Sequence, residues 1–280
     1  MSLAYWQWLV LLSLVFLGLE RLWPRDPAQL PLRPGWTTDL LYLVWNGHWL
    51  GVVLAVLSRP AVERIQQGLV EAGVWPMVAA RVAEPWPLWL QFLVALVVLD
   101  FIQWCIHWML HRVPWLWEFH KVHHSIRHMD WAGSLRFHWM EILVYRTLQY
   151  LPLVWFGFHG GVLMALAVFG TAMGHFNHAN LRWNMGPLRY VLNHPAMHIW
   201  HHVHPDHGPM HRNFGINLSV WDWLFGTAWL PDHDPVELGF EDIATFPRTL
   251  PGQLLWPLRL RHRPPPQAPC PAGTIGPRES

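Results

Sequence analysis

Three histidine clusters carry the chemistry legible in this chain: His107-x3-His111, His120-x2-His123-His124 and His198-x2-His201-His202. Spacings of three and four residues place the imidazoles of a cluster on one face of a helix. Eight such rings exceed what one tetrahedral metal can use, so the pattern predicts a pair of transition metals. Neutral imidazole suits iron, zinc, copper and nickel, and spacing alone does not choose among them. Only two cysteines are present, Cys105 in an apolar run and Cys270 in the tail. They offer neither a disulfide framework nor a sulfur site, so any metal is held by nitrogen and oxygen.

The elements that must position these rings are those of a membrane protein. The chain has 280 residues, 52% hydrophobic and 13% charged, with 22 Trp. Several apolar runs approach the ~20 residues needed to cross a hydrocarbon core. A net charge of +1 gives no case for nucleic acid. The run Leu3 to Leu19 lacks a basic flank and a cleavage site and reads as a retained transmembrane helix. A loop with Arg21, Arg25 and Arg33 among Pro24, Pro27, Pro31 and Pro34 follows. Asp39 to Leu57 is expected as a second span, Arg59 to Glu84 as an interfacial helix and loop, and Trp86 to Trp108 as a third span. Met140 to Phe158 and Gly160 to Gly174 form an apolar hairpin. Its second arm is short for a full crossing, so a re-entrant hairpin stays open.

The fold expected is an all-α membrane bundle of about four to five spans, re-entrant segments included, capped by a histidine-rich helical region. Residues 1–85 would hold the first spans, 86–235 the catalytic unit, and 236–280 a loop and a disordered tail. That tail, Arg261 to Ser280, is Pro-rich and polar. Basic residues after the first span place that loop in the cytoplasm. His107 and His111 then sit at the cytoplasmic mouth of the third span. The returning hairpin brings His175, His178 and all that follows to the same side, in what reads as a bacterial inner membrane.

Pro114 should end the helix carrying His107 and His111 and start another, turned back on the first. Ionisable residues at a membrane are costly and tend to be functional. Here the residues carry a resemblance. Asp100-x3-Trp104-x2-His107-x3-His111, Trp117-x-Phe119-His120-Lys121-Val122-His123-His124-Ser125, Phe176-Asn177-His178-Ala179-Asn180 and Met197-His198-x2-His201-His202 are similar to motifs of the fatty acid hydroxylase and sterol desaturase superfamily. So are Asn213-Phe214-Gly215-Ile216-Asn217 and Trp221-Asp222-x-Leu224-Phe225-Gly226-Thr227. The likeness covers roughly residues 90 to 230.

The resemblance implies an O2-dependent membrane oxygenase that hydroxylates or desaturates a lipid, or cleaves an ether lipid, at two non-haem irons. Its ligands would be His107, His111, His120, His123, His124, His178, His198, His201 and His202. His138, in Arg136-Phe137-His138-Trp139-x-Glu141, matches a further family histidine, although Trp139 stands where the family often has proline. Asp100, Asn213 and Asp222 are candidates for orienting the imidazoles through hydrogen bonds. His175 reads as a helix-end residue, and His48, His159, His233 and His262 as non-ligands. His204, His207 and His211 form a loop after the last cluster, with a gating or supporting role open to them. Trp104, Trp117 and Trp200 could wall the substrate.

No dinucleotide fingerprint, iron–sulfur cysteine set or recognisable haem domain is present. A ferredoxin or cytochrome with its reductase is therefore the implied electron donor. Two rivals remain: a membrane zinc metallohydrolase, for which H-E-x-x-H is missing and Glu118 and Glu141 are the only nearby acids, and a metal transporter, whose ligands would sit at mid-membrane. Sterol, fatty acyl, carotenoid and ether-lipid substrates are not separated by the sequence.

Overall fold

The computed structural model describes residues 3–75 and 81–258. The expected disordered tail and His262 lie outside these residues. Apolar runs bounded by proline and glycine become helices: α1 (Tyr5–Leu22), α2 (Trp36–Glu71), α3 (Leu88–Arg112), α4 (Pro114–His124), α5 (Trp139–Trp155), α6 (Gly160–His178) and α7 (Pro195–His201), with short α8 (Val220–Leu224) and α9 (Leu250–Leu254). Among the described residues β-structure is limited to isolated bridges such as Pro24 with Leu181. The protein is all-α and membrane-embedded. Helices α1, α2, α3 and α6 are long and apolar enough to cross a bilayer.

Two expectations change. The second span and the interfacial segment are one helix, α2, in which a π turn at Trp45–Trp49 joins Trp36–Val44 to Leu50–Glu71 and Pro60 is accommodated inside the helix. In the hairpin, α6 is the long arm. It continues past Gly174 through His175, Asn177 and His178 because those polar side chains are buried and partnered. The Asn177 amide donates to the Ile216 carbonyl at 2.6 Å. The shorter arm is α5, with 17 residues and Pro152 inside it.

Pro114 acts as expected, occupying the first turn of α4 directly after α3 ends. Helix α6 packs on α1, α3 and α7, and α3 also packs on α4 and α5. Leu99, Leu153, Val162 and Leu166 fill the contact among α3, α5 and α6. The C-terminal ends of α3 and α6 and the N-terminal end of α5 therefore meet at one end of the bundle, where α4 and α7 lie across them.

A buried ionic network ties the connecting segments to that end. Arg33 donates to Asp130 at 2.6–2.7 Å and to Asp39 at 2.7 Å, and Arg136 also pairs with Asp39. Buried pairs of this kind specify arrangement more than they add stability, but losing one partner strands the other charge.

Candidate metal centre

Nine imidazoles from four helices converge in two adjoining groups: His107, His111, His120, His124 and His201, and His123, His178, His198 and His202. All nine are buried. Within each group the potential ligand atoms lie within 4.8 Å of one another. The groups adjoin, with the His124 and His202 rings 4.5 Å apart between centroids.

Hydrogen bonds set the direction of most rings. The Nδ1 atoms of His107, His201, His123 and His178 lie 2.7, 2.8, 3.2 and 2.9 Å from the carbonyls of Phe214, Arg212, Arg136 and Gly174. A carbonyl only accepts, so each Nδ1 carries the proton and each Nε2 presents a lone pair. The Nδ1 of His120 makes the equivalent bond to the Glu141 carboxylate at 2.7 Å.

The inward nitrogens then crowd each other. His107 Nε2 and His120 Nε2 are 3.0 Å apart, and the Nε2 atoms of His111, His124 and His201 form a triangle of 3.0–3.2 Å sides. In the second group His198 Nε2 lies 3.3 Å from the Nε2 atoms of His178 and His202. Lone pairs aimed at each other repel unless a cation sits between them. Such spacings also match edges of a coordination shell whose metal–nitrogen bonds are roughly 2.1 Å. The residues fit a pair of nitrogen-ligated metals.

Burial first, and then repulsion between neighbouring imidazoles, holds His120, His123, His124, His198, His201 and His202 well below the ordinary histidine range. Their rings are neutral at physiological pH, the form that binds metal.

His138 is placed elsewhere. Its Nδ1 accepts from the Met140 amide at 3.2 Å, capping α5, while its Nε2 donates to the Leu254 carbonyl at 3.0 Å. With both nitrogens engaged, it stands outside both groups. His175 bridges Ser134 and Ser13 within α6, at 2.7 and 3.3 Å. His159 caps the start of α6. His204 and His207 belong to their own loop, whereas His211 comes within 3.4 Å of His111.

The expected orienting residues act one step further out. Asp222 accepts from the backbone amides of Phe214 and Gly215 and from the Trp104 indole. It thereby fixes the loop whose Phe214 carbonyl holds His107. Gly215 passes so close that a Cβ there would lie 2.9 Å from the Asp222 carboxylate and collide with the Leu218 carbonyl. Asp100 secures the next stretch through the amides of Asn217 and Leu218 and the Trp221 indole. Asn213 joins the Met197 carbonyl to the Trp229 backbone. None of the three touches an imidazole ring. The residues that do are Glu141, named from sequence only as a nearby acid, and four backbone carbonyls, which escape sequence reasoning because a carbonyl leaves no trace in residue identity.

A cavity of about 460 Å³ opens between α1, α3, α5 and α6 and reaches His123, His178 and His198. It touches only the four-histidine group. Phe137, Ile142, Tyr145 and Leu166 supply apolar wall, and no Asp or Glu lines it. Trp104, Trp117 and Trp200 are absent from its lining: Trp117 packs on His111 and His124, and the Trp200 indole donates to the His233 carbonyl.

Residues 92–227 match the family model described as fatty acid hydroxylase. The ornithine lipid hydroxylase OlsE of Rhizobium tropici is 30% identical over 181 residues, 60% of this chain and 53% of that protein. The alkylglycerol monooxygenase of Xenopus tropicalis is 30% identical over 164 residues, 58% of this chain and 35% of that protein. The fatty acid hydroxylase vlmA of Lecanicillium is 28% identical over 170 residues, 51% of this chain and 43% of that protein. The chain thus spans about half or less of the length of these relatives. No solved structure matches it.

Proposed function

We propose, for a chain whose residues 92–227 belong to the fatty acid hydroxylase family and with it to the fatty acid hydroxylase/sterol desaturase superfamily, that it is an O2-dependent membrane oxygenase. It oxidises a lipid at two non-haem irons held by the nine converging histidines. The observation that carries the reading is the junction of an all-nitrogen, doubly grouped site with a lipid-sized, largely apolar cavity. The bound metals would supply the reduction of O2 and the removal of hydrogen from an unactivated C–H bond.

The chain's own residues supply direction and exclusion. Carbonyls of Phe214, Arg212, Arg136 and Gly174 keep the imidazole Nδ1 atoms protonated and the Nε2 atoms turned inward. Phe137 stacks on the His123 ring, 4.5 Å between centroids, where the cavity meets the site. An apolar wall at that point excludes water from the reacting carbon. Electrons would come from a separate ferredoxin or cytochrome and its reductase, with the site on the cytoplasmic face.

Hydrolysis is less well supported. Glu141 is committed to His120 and Glu118 to Lys121 and Trp256, which leaves the cavity without a carboxylate base. Transport would need ligands along a path through the bilayer, whereas these cluster at one end of the helices.

The test is lipidomics of membranes from cells with and without the protein, under air and under anaerobiosis. One lipid class should gain an oxygen atom or lose two hydrogens, only with O2 and only with His201 intact. Product formed anaerobically would overturn the reading.

A further inference from the structure

Polar side chains line the cavity along its length, Asn177 next to His178 and Ser134 and Asn217 among them, with a further polar set at its other end. There it is lined by Tyr5, Gln103, Arg146, Gln149, Tyr150 and Thr171. Four of these are paired with one another: the Tyr5 and Thr171 hydroxyls are 2.7 Å apart, and Gln149 donates to Gln103 at 3.1 Å. Arg146 differs. Its guanidinium is permanently charged, yet its one hydrogen bond is a long one, 3.4 Å to the Asn46 carbonyl in the π turn of α2. No carboxylate pairs with it among the described residues.

Arg146 is an exposed residue of α5 that lines the polar end of the cavity. It stands seven residues into α5 from Trp139, and Thr171 lies seven residues before His178 on α6. At 1.5 Å per residue both are roughly 10 Å from the metal-holding end of the bundle. A charged side chain that far along an apolar helix is costly where lipid surrounds it and marks a partner by default. Structural duty on α2 accounts for one weak bond, with Nη1 packed against Gly51, and leaves the remaining N–H groups of the fork without a protein acceptor among the described residues.

Building on the oxygenase reading, we infer that Arg146 is a specificity-determining residue that receives the anionic group, carboxylate or phosphate, of a lipid substrate. The Tyr5–Thr171 hydroxyl pair and the glutamine amides flank that group. The reacting carbon then lies about 10 Å away at the four-histidine group, a span covered by an extended chain of several methylenes. Regiospecificity is set by the distance between a fixed charge and a fixed metal site, and a neutral lipid has nothing to anchor it.

The experiment is native mass spectrometry of the full chain in neutral detergent. The probes are palmitate, methyl palmitate and 1-palmitoyl lysophosphatidate, with metal content measured on each sample. At least one anion should bind about tenfold or more tighter than the ester, and whichever does so identifies carboxylate or phosphate. Arg146→Gln should remove that preference without weakening the ester, and Arg146→Lys should keep most of it. An unchanged preference in R146Q overturns the proposal. So does equal binding of anions and ester by the wild-type chain, a comparison that needs no variant to fold. An anion-selective cavity in a protein that forms no oxidised lipid leaves the subsite standing and removes the oxygenase reading. Oxidation of a neutral lipid at an unchanged rate in R146Q does the reverse.

Discussion

The two histidine groups differ in more than number. The group of five is walled by Trp117, Phe214 and His211 and does not line the cavity, with Nε2 contacts of 3.0–3.2 Å. The group of four has looser contacts of 3.3 Å and fronts the cavity through three of its members. The Nδ1 atoms of His198 and His202 have no hydrogen-bond partner, so packing alone orients those rings. On the oxygenase reading, the closed group would retain a metal and the open group would present one to a substrate.

Substitution should expose that asymmetry, with the largest effect in the open group. His198→Ala leaves three imidazoles there and should abolish lipid oxidation while lowering bound metal toward one per chain. His124→Ala leaves four imidazoles in the closed group and should retain nearly two metals, measured by elemental analysis. Equal metal loss in both variants would break the comparison.

Next in size is Glu141→Gln. It replaces the carboxylate that accepts from His120 with an amide, and should weaken metal retention in the closed group by about 10–100-fold in a chelator challenge.

Acid should act on the metal-free protein. Burial and mutual repulsion keep the six titrating rings neutral in the fold, while the unfolded chain takes up protons below ~6.5. Stability is therefore intact above that value and falls as pH drops toward the depressed folded values, by up to about 1.4 kcal/mol per ring per pH unit. The melting temperature of the metal-free protein should fall between pH 7 and pH 5. The metal-loaded protein, whose lone pairs are occupied, should fall less.

The smallest effect separates His138 from the ligands. His138→Ala removes the cap of α5 and should cost about 1–2 kcal/mol of stability in a thermal melt, with metal content unchanged. Loss of a metal in this variant would restore His138 to the site.

How much was legible depended on what kind of atom does the work. Candidate ligand positions follow helical spacing, so His107 with His111 and His198 with His202 could be paired from sequence. Pro114 could be read as the corner because its effect on the backbone is local. Neither the division into five and four nor the role of His138 could be read, since both depend on how α4 and α7 cross the ends of α3 and α6. Charge counting was the weakest guide. Arg25 and Arg33, read as part of a basic loop, are buried against Asp234, Asp39 and Asp130. The continuous α2 was missed because Pro60 and the charges after it mimic a helix end.

The most direct test of the central claim is Mössbauer spectroscopy with iron quantification on the full chain purified from iron-57-supplied cells. Two irons per chain are expected, giving two distinct signals for the unequal histidine groups. A single iron, or full lipid oxidation by protein carrying only zinc, would contradict the account.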